Sequence, residues 1–194
     1  GAYCIDRITF AGPARLFGFC TQSVWELVDF TVSSSGVVGT VFANNLVVGY
    51  GTDIVYLNGL IYTSTGRVVN PFSQTVVGTY QADGGRSMAI DQAAGRIFFL
   101  SGGPTLRAFD INTFALIGSV TIPGLNGATG KLVRWGENGL AIRGTNQLYL
   151  IQSPLISSNG FVPTSLQLSA PTYSRSESGG NLTVTVARSG TLTG

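Results

Sequence analysis

The stretch that decides the fold is Gly95 to Gly124, "GRIFFLSGGPTLRAFDINTFALIGSVTIPG". Three short apolar runs are separated by "SGGP" and "DINTF", both rich in turn-forming residues. No segment of the chain follows the i, i+3, i+4 spacing of an amphipathic helix. β-Branched and aromatic side chains dominate the runs, which predicts strands. Within "RIFFL" (Arg96 to Leu100) apolar residues fall on both faces of the strand. A half-exposed sheet would present one polar face, so this strand belongs to a sheet sandwiched between two others.

Pieces of this stretch recur. "VVGTV" at Val37, "VVGTY" at Val76 and "LIGSV" at Leu116 start 39 and 40 residues apart, each after a polar turn. Upstream of them lie the strands "VWELVDF", "RVVNPF" and "LRAFDI", with a further copy, "QLYLI", at Gln147. Before these come "RLFGFC", "GLIYTS", "GRIFFL" and "GLAIRG", and before those "YCIDRITF", "DIVYLN", "SMAIDQ" and "KLVRWG". The order is four short strands and a connection, repeated over residues 3–42, 50–82 and 86–122. A partial fourth unit runs from Lys131 to Leu155 or Ile156. Asn-Gly in "LNGL" (Leu57 to Leu60) and in "ENGL" (Glu137 to Leu140) signals tight hairpins.

Four-stranded sheets at a period of ~40 residues, buried on both faces, predict blades of a β-propeller. An irregular β-sandwich with chance repeats is the competing architecture. The expected fold is all-β, a partial propeller of about three and a half blades where a closed ring needs about 4 to 8. Missing blades or self-association should therefore complete the ring.

Composition narrows the function classes. Only 10% of the 194 residues are charged, against about 25% in an average soluble domain. The net charge of +2 is small and scattered, which argues against nucleic-acid binding. No apolar run reaches the ~18 residues of a membrane helix, so no membrane insertion is expected. No basic segment followed by an apolar one marks a signal peptide. The chain opens "GAYCIDRITF", as though already inside a strand, and reads as a piece of something longer. Cys4 and Cys20 are either free buried thiols or a disulfide. A hairpin turning at Gly12-Pro13 places them nearly opposite each other. With no histidine in the chain, a zinc site is not expected.

The Gly95–Gly124 unit resembles a blade of the bacterial YVTN and quinoprotein-dehydrogenase-like propellers, through Gly95, Asp110, Thr113, Gly118 and Gly124. Near the C-terminus, "YSRSESGGNLTVTVARSG" resembles the opening of a Calx-β domain, an immunoglobulin-like sandwich. The matching residues are Tyr173, Glu177, Gly179, Gly180, Val184, Val186, Arg188 and Gly190. The two resemblances imply a propeller over residues 1–156, a linker over 157–169 and the truncated N-terminal fragment of a Calx-β domain over 170–194. They also imply an extracellular or cell-surface location. Glu177 matches a calcium-contributing position of that family. Calcium takes about 6 to 8 oxygens, so Glu177 alone is read as a turn residue, with calcium expected only in a complete domain. No other cofactor is implied.

Other candidates have structural readings. Asp53, Asp83, Asp91 and Asp110 recur near blade turns, where hydrolytic propellers place metal-binding carboxylates, but Asx-turn roles fit them better. Arg134 and Trp135 are neighbours that could form a cation–π pair at a pocket or pack in a blade. "ADGGRS" (Ala82 to Ser87) is an anion-binding candidate or a loop between blades. Asn181 opens a glycosylation sequon, although no glycan is expected on a chain of this bacterial appearance. The expected function is non-catalytic binding or adhesion, or a scaffold, with a protein or carbohydrate ligand held by loops on one face of the ring. The alternative is part of a quinoprotein- or lactonase-type propeller enzyme whose catalytic residues lie in other blades.

Overall fold

The computed structural model describes residues 4–22, 25–85, 87–127, 130–136, 138–156, 165–168, 173–174, 179, 181 and 183–189. Every regular element among them is a β-strand. Blade 1 comprises β1 (Arg7–Gly12), β2 (Arg15–Phe19), β3 (Glu26–Ser33) and β4 (Gly36–Asn44). Blade 2 comprises β5 (Ile54–Leu57), β6 (Leu60–Thr63), β7 (Arg67–Asn70) and β8 (Thr75–Thr79). Blade 3 comprises β9 (Ser87–Asp91), β10 (Arg96–Leu100), β11 (Thr105–Asp110) and β12 (Leu116–Thr121). Blade 4, over its described residues, has three strands: β13 (Val133–Trp135), β14 (Gly139–Arg143) and β15 (Leu148–Gln152). Within each blade every strand pairs antiparallel with the next, as the repeat predicts. The first strands are innermost: β1 lies against β5, and β9 against β13. The four sheets follow one another around a propeller-like ring, and among the described residues no apolar core joins its first and last blades.

The doubly apolar "IFFL" is sandwiched as expected. Ile97 and Phe99 enter the core shared with blade 2. Phe98 and Leu100 enter the core shared with blade 4. A third core joins blades 1 and 2 through Phe17, Phe19, Leu27, Ile54, Ile61 and Val69. Each blade is thus held by its neighbours, at roughly 25 cal/mol per Å² of apolar surface buried.

The recurring outer-strand glycine acquires a reason here. A Cβ on Gly78 of β8 would lie 2.6 Å from the Phe114 ring of blade 3, and one on Gly118 of β12 would lie 3.1 Å from Leu155 of blade 4. A bare backbone is needed because the next blade's side chain presses on the outer strand. These pressing residues follow a turn that closes every third strand. Asn70 Oδ1 accepts the N–H of Phe72 at 2.9 Å, Asp110 Oδ1 that of Thr113 at 2.8 Å, and Ser153 Oγ that of Leu155 at 3.2 Å. In blade 1, Ser33 Oγ accepts from Ser35 at 3.3 Å. Four different sequences thus make one side-chain-to-backbone turn.

Asp110 accepts the Thr113 N–H, the Thr113 hydroxyl and the Asn112 N–H. These donors, the Thr113 N–H first, favour the carboxylate and hold its pKa below the ordinary aspartate value. A folded value below the unfolded one means that the stabilisation is present above the unfolded pKa. It is lost as pH falls through the folded one. Asp110→Asn copies Asn70, keeping the acceptor while removing the titration. The variant should melt like the parent at pH 7 and lose less stability than the parent below about pH 4. Parallel thermal melts across pH check this.

Three sequence readings can be set against the structure. Asn58-Gly59 makes the two-residue turn between Leu57 and Leu60, both at positive φ (49° and 85°). Asn138-Gly139 does not form such a turn. Gly139 is already the first residue of β14, opposite Trp135. It must be glycine because a Cβ there would meet the Trp135 ring at 2.6 Å. Second, the 157–169 segment read as a linker contains β16 (Ser165–Leu168), which pairs antiparallel with β17 (Val186–Ser189). Third, Arg134 and Trp135 occupy alternate positions of β13 and so point to opposite faces. Arg134 pairs with Asp91 at 2.9 Å, while Trp135 is exposed.

Candidate functional site

The strongest candidate lies where the inner strands begin. Gly51-Thr52 precedes β5, Gly84-Gly85 precedes β9 and Gly130 stands two residues before Leu132, ahead of β13. The turn from β6 to β7 adds Ser64 and Thr65 from the same end of blade 2. Together with Ser87, Leu100 and Tyr50 these residues line a cavity of about 750 Å³. Among the described residues the lining is glycine backbone, hydroxyls, the Leu100 side chain and one aromatic ring, with no ionised side chain.

Local hydrogen bonds fix this end. Thr52 Oγ1 donates to the carbonyls of Val48 and Gly49 at 3.0 and 2.8 Å. Ser64 Oγ accepts the Asp53 N–H at 3.0 Å. Ser87 Oγ accepts the Leu132 N–H and so ties blade 3 to blade 4. Tyr50 is 78% exposed. It stands edge-on to Trp25, with ring centroids 6.0 Å apart and planes at 74°. Trp25 has φ 46°, in the left-handed region that large side chains seldom adopt. This strained residue supports the aromatic rim.

A charge cluster stands beside the cavity. Asp53 lies 2.9 Å from Lys131 Nζ and 3.8 Å from Arg7 Nε. One carboxylate of blade 2 thereby links one cation of blade 4 and one of blade 1, which leaves the trio with a net positive charge. The other aspartates are placed as follows. Asp83 pairs with Arg107. Asp91 accepts the Ala94 N–H at 3.0 Å as well as pairing with Arg134. Asp110 caps its turn. They do not converge into a metal or hydrolytic centre. "ADGGRS" contributes Gly84, Gly85 and Ser87 to the cavity. Glu177 lies outside the described residues.

Cys4 and Cys20 form a disulfide with their Cα atoms 5.1 Å apart. Asp6 stands beside it and accepts the Thr21 N–H and hydroxyl, both at 2.9 Å. The Thr21 N–H above all holds the Asp6 carboxyl below the ordinary range. The two sulfurs and Asp6 lie close together, but sulfurs bonded to each other are not available as thiolate ligands.

No family model matches the chain, and no curated protein matches it. Solved structures do. The computationally designed Ika4 protein matches with a TM-score of 0.54 at 8% identity, over 78% of this chain and 92% of that one. The fold resembles a four-bladed β-propeller. The computationally designed Ika8 protein matches with a TM-score of 0.58 at 8% identity, over 77% of this chain and 46% of that one. At such identities the likeness concerns architecture alone.

The sequence reading missed Tyr50, Thr52 and Ser64 as site residues, whereas it had named the stretch that holds Gly84, Gly85 and Ser87. The available signal was the recurrence of small residues just before each inner strand, in "YGTD", "DGGRS" and "TGKL".

Proposed function

We propose that this chain is a non-catalytic binding module. It takes a neutral carbohydrate in the cavity at the start of the inner strands. The observation that carries this reading is the lining: hydroxyls and glycine backbone below an exposed tyrosine, with no ionised group among the described residues. Sugar hydroxyls both donate and accept, and Ser and Thr hydroxyls and free peptide groups complement them. A tyrosine ring offers a rigid apolar face and a polar tip to a sugar ring. The volume is in the usual range of ligand sites, about 300–1,000 Å³. Asp53, held between Arg7 and Lys131, is occupied electrostatically, which disfavours an acid–base role.

The setting we propose is a large, modular, surface-exposed or secreted bacterial protein. A disulfide suits an oxidising compartment. The likeness of the repeat to YVTN-type blades, and of residues 173–190 to the opening of a Calx-β domain, favours the same setting.

The test is calorimetric titration with neutral tetrasaccharides (cello-, malto- and chito-series) and with an acidic oligogalacturonate. At least one neutral series should bind and the acidic one should not. Tyr50→Ala should weaken binding about tenfold, the worth of roughly one aromatic contact, with no change in melting temperature. Failure of all neutral sugars to bind, or full affinity in Tyr50→Ala, would refute this reading.

A further inference from the structure

The two outward faces at the ends of the blade series carry an inference of their own. Blades 2 and 3 are covered by apolar cores on both sides, whereas blades 1 and 4 are covered on one. In blade 1, Thr9 and Phe17 are paired and face blade 2, where Thr9 Oγ1 accepts the Tyr56 N–H at 2.8 Å. The opposite face carries Ile8 and Phe10, which are 54% and 67% exposed. In blade 4, Arg134 and Leu140 face blade 3, and the opposite face carries Val133 and Trp135, 48% and 47% exposed. Among the described residues no core joins blade 4 to blade 1.

The construction of the ends indicates what covers them. Within the chain, Phe72, Phe114 and Leu155 project from the turn after a third strand onto the preceding blade. The corresponding turn of blade 1 holds only serines, Ser33 to Ser35, bonded to one another. A blade of the same repeat placed before blade 1 would present its glycine strand to that serine turn and leave the notch unfilled. Blade 4, over its described residues, has three strands and presents no glycine notch. Over the described residues, one end therefore supplies no plug and the other presents no notch for one. The two ends match each other, and among the described residues no apolar core joins them within one chain.

We propose that two copies of this chain complete one ring. The outward face of blade 4 in each copy packs on the outward face of blade 1 in the other. The two contacts are equivalent and related by a two-fold axis, so the assembly closes. Each continues the blade-on-blade packing already made three times within the chain.

Sedimentation equilibrium of the full chain tests this. At about 100 µM the wild type should have twice the chain mass. Phe10→Asp and Trp135→Asp each place a carboxylate in both contacts, and each should weaken the dimer about 100-fold or more. An equimolar mixture of the two variants should recover a heterodimer, because one of its contacts then consists of unaltered faces. Circular dichroism melts confirm that each variant remains folded. If either aspartate unfolds its chain, Phe10→Ser and Trp135→Ser replace them. A wild-type monomer would overturn the proposal and assign the faces to further sequence. So would open chains of rising mass, a dimer broken by only one variant, or a mixture that stays monomeric.

Discussion

Replacing Tyr80 with alanine should cost about 3–5 kcal/mol, the range for removing a fully buried aromatic side chain. Tyr80 follows β8 and is 2% exposed. Its ring centroid lies 4.7 Å from that of Phe114, 5.3 Å from Phe99 and 5.5 Å from Phe109. Its hydroxyl donates to the Ile111 carbonyl at 2.8 Å. This one side chain pins blade 2 to blade 3 at the middle of the series. Burial pushes the phenol well above its ordinary pKa, so it stays a neutral donor across the accessible pH range. Stability in a repeat architecture is roughly a sum of unit and interface contributions. Tyr80→Ala should therefore also uncouple blades 1 and 2 from blades 3 and 4. In urea the single transition should broaden or split, with a lower apparent m-value. Tyr80→Phe removes only the hydrogen bond and should cost about 1–2 kcal/mol without splitting. If Tyr80→Ala unfolded at the same urea concentration as the parent, the inter-blade cores would not be what holds the fold.

Opening the Cys4–Cys20 bridge should have the second-largest effect. The two cysteines are 16 residues apart in sequence, and closing a loop of that size is worth about 3 kcal/mol. The effect should be local as well as global. The bridge joins the segment before β1 to the end of β2, in the first of the two end blades of the series. Cys4→Ser/Cys20→Ser, or reduction of the parent, should lower the melting temperature and raise amide exchange first in β1. The remaining hairpin bonds, from Arg7↔Phe19 to Gly12↔Arg15, and the Asp6–Thr21 pair would then hold that edge alone. A melting temperature that ignores reductant would show that the bridge is not formed or not stabilising.

Most of the blade architecture was legible because its determinants are local. Alternation, turn residues and the recurring glycine place every strand of the first three blades and the three of the fourth. Asn138-Gly139 misled because a dipeptide preference yields to packing: the Trp135 ring claims the space beside Gly139. Ser165–Leu168 was read as linker because its partner, Val186–Ser189, lies about twenty residues further on and pairing at that distance leaves no local pattern. The glycines of β8 and β12 were visible as a repeat, but their cause comes from Phe114 and Leu155 in the next blade. The cavity was hidden for a similar reason. Thr52, Ser64 and Ser87 are unremarkable loop residues in separate turns, and only the ring brings them to one mouth beside Tyr50. Arg7, Asp53 and Lys131 are each ordinary surface charges in sequence, and they become one cluster only because three inner strands start at the same place.

The central claim is that this mouth, and no other part of the ring, receives the ligand. Backbone amide NMR of the full chain, titrated with whichever neutral tetrasaccharide binds, tests it most directly. The predicted result is saturable shifts at Gly51, Thr52, Ser64, Gly85 and Ser87, with Asn58-Gly59 and Ala94-Gly95 at the opposite ends of the same strands unmoved. Shifts confined to those opposite turns, or to β16 and β17, would contradict it.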